Sequence, residues 1–226
     1  MDWNLNHVRV AVKSRCVPCS TGDMPKSAEA ELGRRERKRL EIRDRLYTAA
    51  IELIVERGFD AATMDEIAER ADVARATAFN YFPQKTAFLY EWGQRRRERV
   101  EKVMGEEHAG ELSAAGQLRR YLGVLAELNT ASRRATVTLM DASVRLGDAL
   151  RSPNLDLELA DLIEAGRDAG EFRSDVDAAQ AGTLLAAGYF SAVLRWINTE
   201  PEPFDLPAYL NDLLDLVLCG LKDGSS

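Results

Sequence analysis

The sequence predicts an all-α chain, a short three-helix unit followed by a longer helical bundle, and three observations carry that prediction. Beyond Arg34 apolar residues recur at spacings of three and four rather than alternating. The breaks between these stretches hold the Gly, Pro, Ser, Thr and Asp residues that start and stop helices. No segment shows the period-two pattern of a half-buried strand. With 226 residues, 46% of them hydrophobic, the chain can bury a sizeable core.

The elements follow in order. Residues 1–33 show no sustained period and are expected to be a disordered or non-native extension. Met24 stands directly before a Pro-Lys-Ser-Ala-Glu segment of the kind that opens many cytoplasmic proteins. Ile42, Leu46, Ala49, Ala50, Leu53 and Ile54 then mark one buried helix face, and Gly58 supplies the residue that can stop that helix. Thr63-Met64-Asp65-Glu66 is a capping box. The Thr63 hydroxyl can accept from the backbone three residues on, while Glu66 reaches back to the Thr63 N–H. Met64, Ile67, Ala68 and Ala71 give the second helix its inner face. Asp72 tolerates a left-handed turn, and a third short helix near Arg75–Tyr81 ends before Phe82-Pro83. Farther on, apolar stripes over 118–129, 134–150, 155–169, 178–198 and 207–222 predict a bundle. The expected division is therefore an extension at 1–33, a three-helix unit at 34–84 and a bundle at 85–226.

Composition narrows the function classes. No n-region and h-region pair marks a secretory signal, so the expectation is cytoplasmic. The uncharged run from Ala178 to Leu194 is shorter than the roughly 20 residues of a membrane span and carries Gln180, Gly182, Thr183, Gly188 and Ser191. It reads as a helix buried among protein partners, and no membrane partner is expected. Cys16, Cys19 and Cys219 make no disulfide framework. Cys16-x-x-Cys19, with only His7 nearby, lacks the second ligand pair of a zinc site, so neither a metal nor a cofactor is expected. The net charge of −7 is unevenly spread: residues 1–100 hold 19 Lys/Arg against 16 Asp/Glu, and the remainder 11 against 21. Any polyanion is met by the first half.

Three short helices with a tight turn between the second and third have the spacing of a helix-turn-helix. Ala50, Glu56-Arg57-Gly58-Phe59, Thr63-Met64, Ile67-Ala68, Ala71, Val73, Thr77 and Tyr81-Phe82-Pro83-x-Lys85 resemble the N-terminal signature of the tetracycline-repressor (TetR) family over about a fifth of the chain. The resemblance implies an all-helical homodimer with a four-helix interface formed by the last two long helices. It also implies a small-molecule effector held in the C-terminal domain and a palindromic double-stranded operator. A ligand-responsive regulator, most simply a repressor, is the expected function.

Carried over by position, Thr63, Thr77, Tyr81 and Lys85 are expected on phosphates, and Arg75 and Asn80 on bases, where Arg grips guanine and Asn pairs with adenine. Asp72, Ala74 and Ala76 depart from the glycine, serine and glycine usual in the family. Ala74 stands at the N-cap of the third helix without a capping oxygen, and Ala76 adds a methyl where backbone approaches DNA. The basic run Arg34, Arg35, Arg37, Lys38 and Arg39 reads equally as a phosphate-seeking arm or as a solvated face paired with Glu36 and Glu41. Arg95-Arg96-Arg97 with Arg99 reads as a mostly solvated face.

For the effector pocket the candidates are Tyr121, Met140, Arg145, Phe172, Tyr189 and Trp196, each weighed against plain core packing. Two other classes compete. A helical protein-binding adaptor would not need Arg75 or Asn80. An enzyme would need a catalytic constellation that His7 and His108, without a nucleophile elbow or Gly-rich phosphate loop, do not supply.

Overall fold

The computed structural model describes residues 26–146 and 155–221, with side-chain surroundings from Gly33 onward. His7, Cys16, Cys19, most of the expected extension and the expected turn at Ser152-Pro153 lie outside the described residues. The described residues form α1 (Lys26–Arg57), α2 (Met64–Arg70), α3 (Arg75–Tyr81), α4 (Thr86–Glu106), a 3₁₀ turn (Ala109–Glu111), α5 (Ala114–Ala131), α6 (Arg133–Arg145), α7 (Leu155–Asp168), α8 (Ala178–Ile197) and α9 (Leu206–Leu221). No strand occurs among them. Helix α1 starts ahead of the boundary expected at residue 34.

The chain divides into two compact units, residues 1–40 and 41–226. In the first, the described residues are helical, Gly33–Leu40 are exposed, and Arg39 lies 3.9 Å from Glu36. The second holds the helix-turn-helix and the bundle together. This unit runs across the boundary expected at 84–85. The reason lies in α4, whose buried Phe88, Leu89, Trp92 and Val100 belong to one hydrophobic core shared by the short helices and the bundle.

Local signals place the helix ends. Gly58 has φ of +86° and closes α1 with its N–H on the Ile54 carbonyl at 2.8 Å. Ser113 accepts from Gly116 N at the start of α5, and Asp177 does the same for Gln180 N in α8. Helix α5 has a second cap from far along the chain, since the Glu171 carboxylate accepts from Ala114 N at 2.6 Å and Ala115 N at 3.0 Å. Helices α7 and α8 pack most extensively. Gly182 permits this, because a side-chain carbon there would stand 2.8 Å from Ala160 N and 2.9 Å from Ala160 Cβ. No described helix is long and apolar enough to cross a membrane.

Candidate nucleic-acid interface and effector region

Helix α2 begins as the sequence predicts. Glu66 N donates to Thr63 Oγ1 at 3.3 Å, and Thr63 N donates to Glu66 Oε2 at 3.1 Å. Asp72 takes φ of +51° between α2 and α3, and Val73 N returns to the Ala68 carbonyl at 2.9 Å. What fixes this turn is a residue the sequence reading passed over. Arg45 of α1 donates Nε to the Ala71 carbonyl at 3.0 Å and Nη2 to the Asp72 carbonyl at 2.5 Å. Two orphan carbonyls at the end of α2 are thereby satisfied. Glu56 of α1 accepts both terminal nitrogens of Arg70, each at 2.9 Å, so α2 is braced on α1 at its last turn.

Helix α3 has two faces. Ala78 is fully buried and the following Phe82 stacks on Phe88 with centroids 4.1 Å apart. Arg75, Ala76, Phe79 and Asn80 are exposed on the opposite side, with Thr77 and Tyr81 half-buried at its margins. The five expected contacts on α3, Ala76 included, thus lie on its exposed face or at the margins of that face, and Phe79 joins them. Ala74 is the N-cap and makes no side-chain hydrogen bond.

Thr63 is exposed at the amino end of α2. Lys85 is placed differently from a free phosphate ligand. Its ammonium donates to the carbonyls of Phe59, Asp60 (3.2 Å) and Ala62 (2.8 Å), which uses its three donors. Burial lowers the pKa of this amine, against the opposing pull of Asp60. In this structure Lys85 ties the start of α4 to the segment that follows α1.

The run Arg95-Arg96-Arg97 corrects the expectation of a solvated face. Successive helical side chains leave at about 100° to one another, and each of these three meets a different element. Arg95 pairs with Asp44 of α1 at 2.5 Å and with Glu91 at 3.0 Å. Arg96 donates to Asn129 Oδ1 of α5 at 2.8 Å. Arg97, 8% exposed, pairs through Nε with Glu158 of α7 at 2.8 Å. Only Arg99 points to solvent. Burial alone would raise the Glu91 carboxyl, but hydrogen bonds from Arg43 and Arg95 hold it below the usual carboxylate range.

Of the six candidate pocket residues, Tyr121, Met140, Phe172, Tyr189 and Trp196 are buried and Arg145 is exposed. Tyr121 donates to Glu158, and Tyr189 accepts from Asn129 Nδ2 at 2.9 Å. Tyr121 is joined through Glu158 of α7 to Arg97 of α4, and Tyr189 of α8 through Asn129 of α5 to Arg96 of α4. Burial, then the bond to Glu158, pushes the Tyr121 phenol well above its ordinary pKa, and burial raises Glu158 despite Tyr121 and Arg97. Met140 and Phe172 are core residues, and Phe172 fills the space beside Gly166. Trp196 is buried with the Arg133 guanidinium 5.0 Å from its ring. Arg145 is exposed and reaches Asp60 at 3.1 Å, beside a groove of about 310 Å³ between the segment after α1 and α6. It is a bridge between the helix-turn-helix and α6. Its length and the flanking acids Asp60 and Asp141 decide that, and only their tertiary placement reveals it.

On α8 and α9 an apolar face is uncovered. Leu184 is 60% and Leu216 78% exposed, and a groove of about 570 Å³ along the C-terminal half of α8 is lined by Ala187, Phe190, Ser191, Leu194, Arg195 and Asn198.

Residues 46–91 match the family described as bacterial regulatory proteins, tetR family. Over 195 residues, 79% of this chain and 94% of the relative, the chain is 24% identical to the fatty acid metabolism regulator protein of Bacillus subtilis strain 168. It is 26% identical over 203 residues to the HTH-type transcriptional repressor KstR of Mycobacterium tuberculosis, with 88% and 89% covered. Among solved structures, FadR of Thermus thermophilus, a TetR-family transcriptional repressor in complex with lauroyl-CoA, superposes with a TM-score of 0.68 at 30% identity. That match covers 81% of this chain and 98% of FadR. With a helix-turn-helix built from α1, α2 and α3 and likeness sustained along nearly all of that repressor, the chain belongs to the tetR family of bacterial regulatory proteins and is a transcriptional regulator.

Proposed function

We propose that the chain is a cytoplasmic homodimeric repressor that binds a palindromic operator through α3 and is released by a long-chain acyl-CoA thioester. One observation carries the choice of effector: the 30% identity to T. thermophilus FadR, solved with lauroyl-CoA, over 98% of that chain. The B. subtilis FadR structure, in complex with stearoyl-CoA, shares the fold at 21% identity. In this reading Thr63, Thr77 and Tyr81 contact phosphates, Arg75 and Asn80 read bases, and Ala76 lets the helix approach closely. Lys85 joins the phosphate contacts only by giving up a carbonyl. The uncovered face with Leu184 and Leu216 is the dimer contact, which sets two recognition helices about 34–36 Å apart on successive major grooves.

An effector releases DNA only by its differential affinity for the two states of the repressor. The test is operator binding by fluorescence anisotropy at fixed salt, with lauroyl-CoA, free CoA or lauric acid added. Release by lauroyl-CoA alone supports the proposal. Tight operator binding indifferent to lauroyl-CoA leaves the regulator and removes this effector, whereas sequence-independent binding favours the protein-adaptor reading. Leu216→Glu should yield monomers by sedimentation and lose operator affinity; a persistent dimer would remove the assignment of that face.

A further inference from the structure

The exposed face of α3 carries a partly exposed aromatic ring. Phe79 is 36% exposed, while its neighbours Ala78 and Phe82 are turned fully into the core. One turn earlier on the same face stands Arg75, whose Cζ lies 5.6 Å from the Phe79 ring centroid. On the other side of Arg75, Asp65 of α2 holds its Nε at 3.0 Å. The guanidinium, largely exposed, thus has a carboxylate on one side and a ring on the other. With Nε engaged by a carboxylate, its two terminal nitrogens are left as a fork, and a fork is what meets O6 and N7 of guanine in the major groove. A ring beside that fork offers an apolar surface where the adjacent base presents its major-groove edge. The 5-methyl group of thymine is the apolar feature of that edge. The Ala76 methyl extends the same surface.

We propose that Asp65, Arg75 and Phe79 act as one reading unit for a guanine with an adjoining thymine in each half-site. Arg75 grips the guanine, Phe79 covers the thymine methyl, and Asp65 is the positioning residue that keeps Arg75 on the base rather than on a neighbouring phosphate. Asp65 repels the DNA backbone in every sequence, so its contribution lies in discrimination and not in affinity. This inference rests on the operator-binding reading above and goes beyond it by naming the base step and the residues that choose it.

The experiment has two stages, both with the full-length protein. Selection from random duplexes first defines the bound sequence; if no palindrome emerges, the operator reading itself fails. If one emerges, each thymine of the selected operator is replaced in turn by uracil, which removes only the methyl. One thymine per half-site, next to the guanine lost in the Arg75→Ala selection, should weaken binding about fourfold, the worth of one buried methyl. Phe79→Ala should bind thymine and uracil operators alike, and Phe79→Leu should keep part of the difference. Asp65→Asn should raise binding to random duplex while lowering the ratio of operator to random affinity. The proposal is overturned if no uracil position matters, or if Phe79→Ala responds to uracil as the wild type does. An Asp65→Asn variant whose two affinities rise together, leaving the ratio unchanged, removes Asp65 from the unit.

Discussion

Arg97 on α4 and Glu158 on α7 pair at 2.8 Å, and the phenol of Tyr121 on α5 donates to the same carboxylate. Three helices thus share one charge pair, its arginine buried and its carboxylate half-buried. A buried pair adds little over a well-packed apolar substitute, yet removing one partner strands the other. Arg97→Met is expected to lower the stability of the folded chain by about 3 kcal/mol, read from urea unfolding. Arg97→Met with Glu158→Gln should recover much of that loss, because the amide oxygen still accepts from Tyr121. A double variant as unstable as the single one would show that the arginine stem, not its charge, is what the site needs.

Two carboxylates should give stability opposite pH slopes. Glu91 sits below the usual range, since Arg43 and Arg95 outweigh its burial. The unfolded chain then binds its proton more tightly, so its contribution is present above the ordinary carboxylate pKa and is lost as pH falls through its lowered value. Glu158 is raised by burial. Its contribution is present below the ordinary carboxylate pKa and is lost as pH rises through the raised one. Melting temperatures measured from acid to neutral pH should show Glu91→Gln with a flatter acid limb. Glu158→Gln should gain on the wild type as pH rises. Parallel curves for either variant would contradict the assignment for that residue.

Gly182 and Gly105 should respond to alanine with opposite signs. A Cβ at Gly182 meets α7 backbone at Ala160 N and at the Asp156 carbonyl, atoms that cannot step aside without moving a helix. Gly182→Ala should cost roughly 1–3 kcal/mol, the usual range for overpacking. Around Gly105 nothing lies within 4 Å, and Gly105→Ala should stabilise by about 0.5 kcal/mol through backbone entropy near the end of α4. Thermal unfolding of the two variants against the wild type measures both.

Ala74 leaves the amino end of α3 without a side-chain cap, although its φ of −59° and ψ of 140° are open to one. Ala74→Ser should add about 1 kcal/mol, seen as slower amide exchange in the first turn of α3. Unchanged exchange there would mean that the serine hydroxyl turns to solvent.

Much of the fold was legible because helix signals are local. The Thr63 capping box, the stop at Gly58, the turn at Asp72 and the break before Pro83 each depend on residues within four positions, and all four stand where the sequence places them. The expected contacts on α3 came from the family resemblance, position by position. Phe79 was passed over because an aromatic at helical spacing ordinarily packs inward, and only its exposure in the fold separates it from Phe82. The pocket candidates were less legible, for the same reason in reverse. Burial puts Met140, Phe172 and Trp196 in the core, and nothing in their spacing could distinguish a lining residue from a packed one.

The sequence by itself determined the helical class, the order of elements, the turn chemistry and the family to which the recognition unit belongs. These rest on backbone preferences and short-range caps written into neighbouring residues. Tertiary structure alone decided what the charges do. Arg95, Arg96 and Arg97 are identical as letters, yet α4 sends them to Asp44, Asn129 and Glu158 on three different helices. Arg45 and Lys85 close turns 26 and 23 residues away by donating to the carbonyls of Ala71 and Ala62. The energy of an ion pair or a long-range hydrogen bond depends on distance and burial between segments far apart in the chain. Neither quantity exists until the helices have packed.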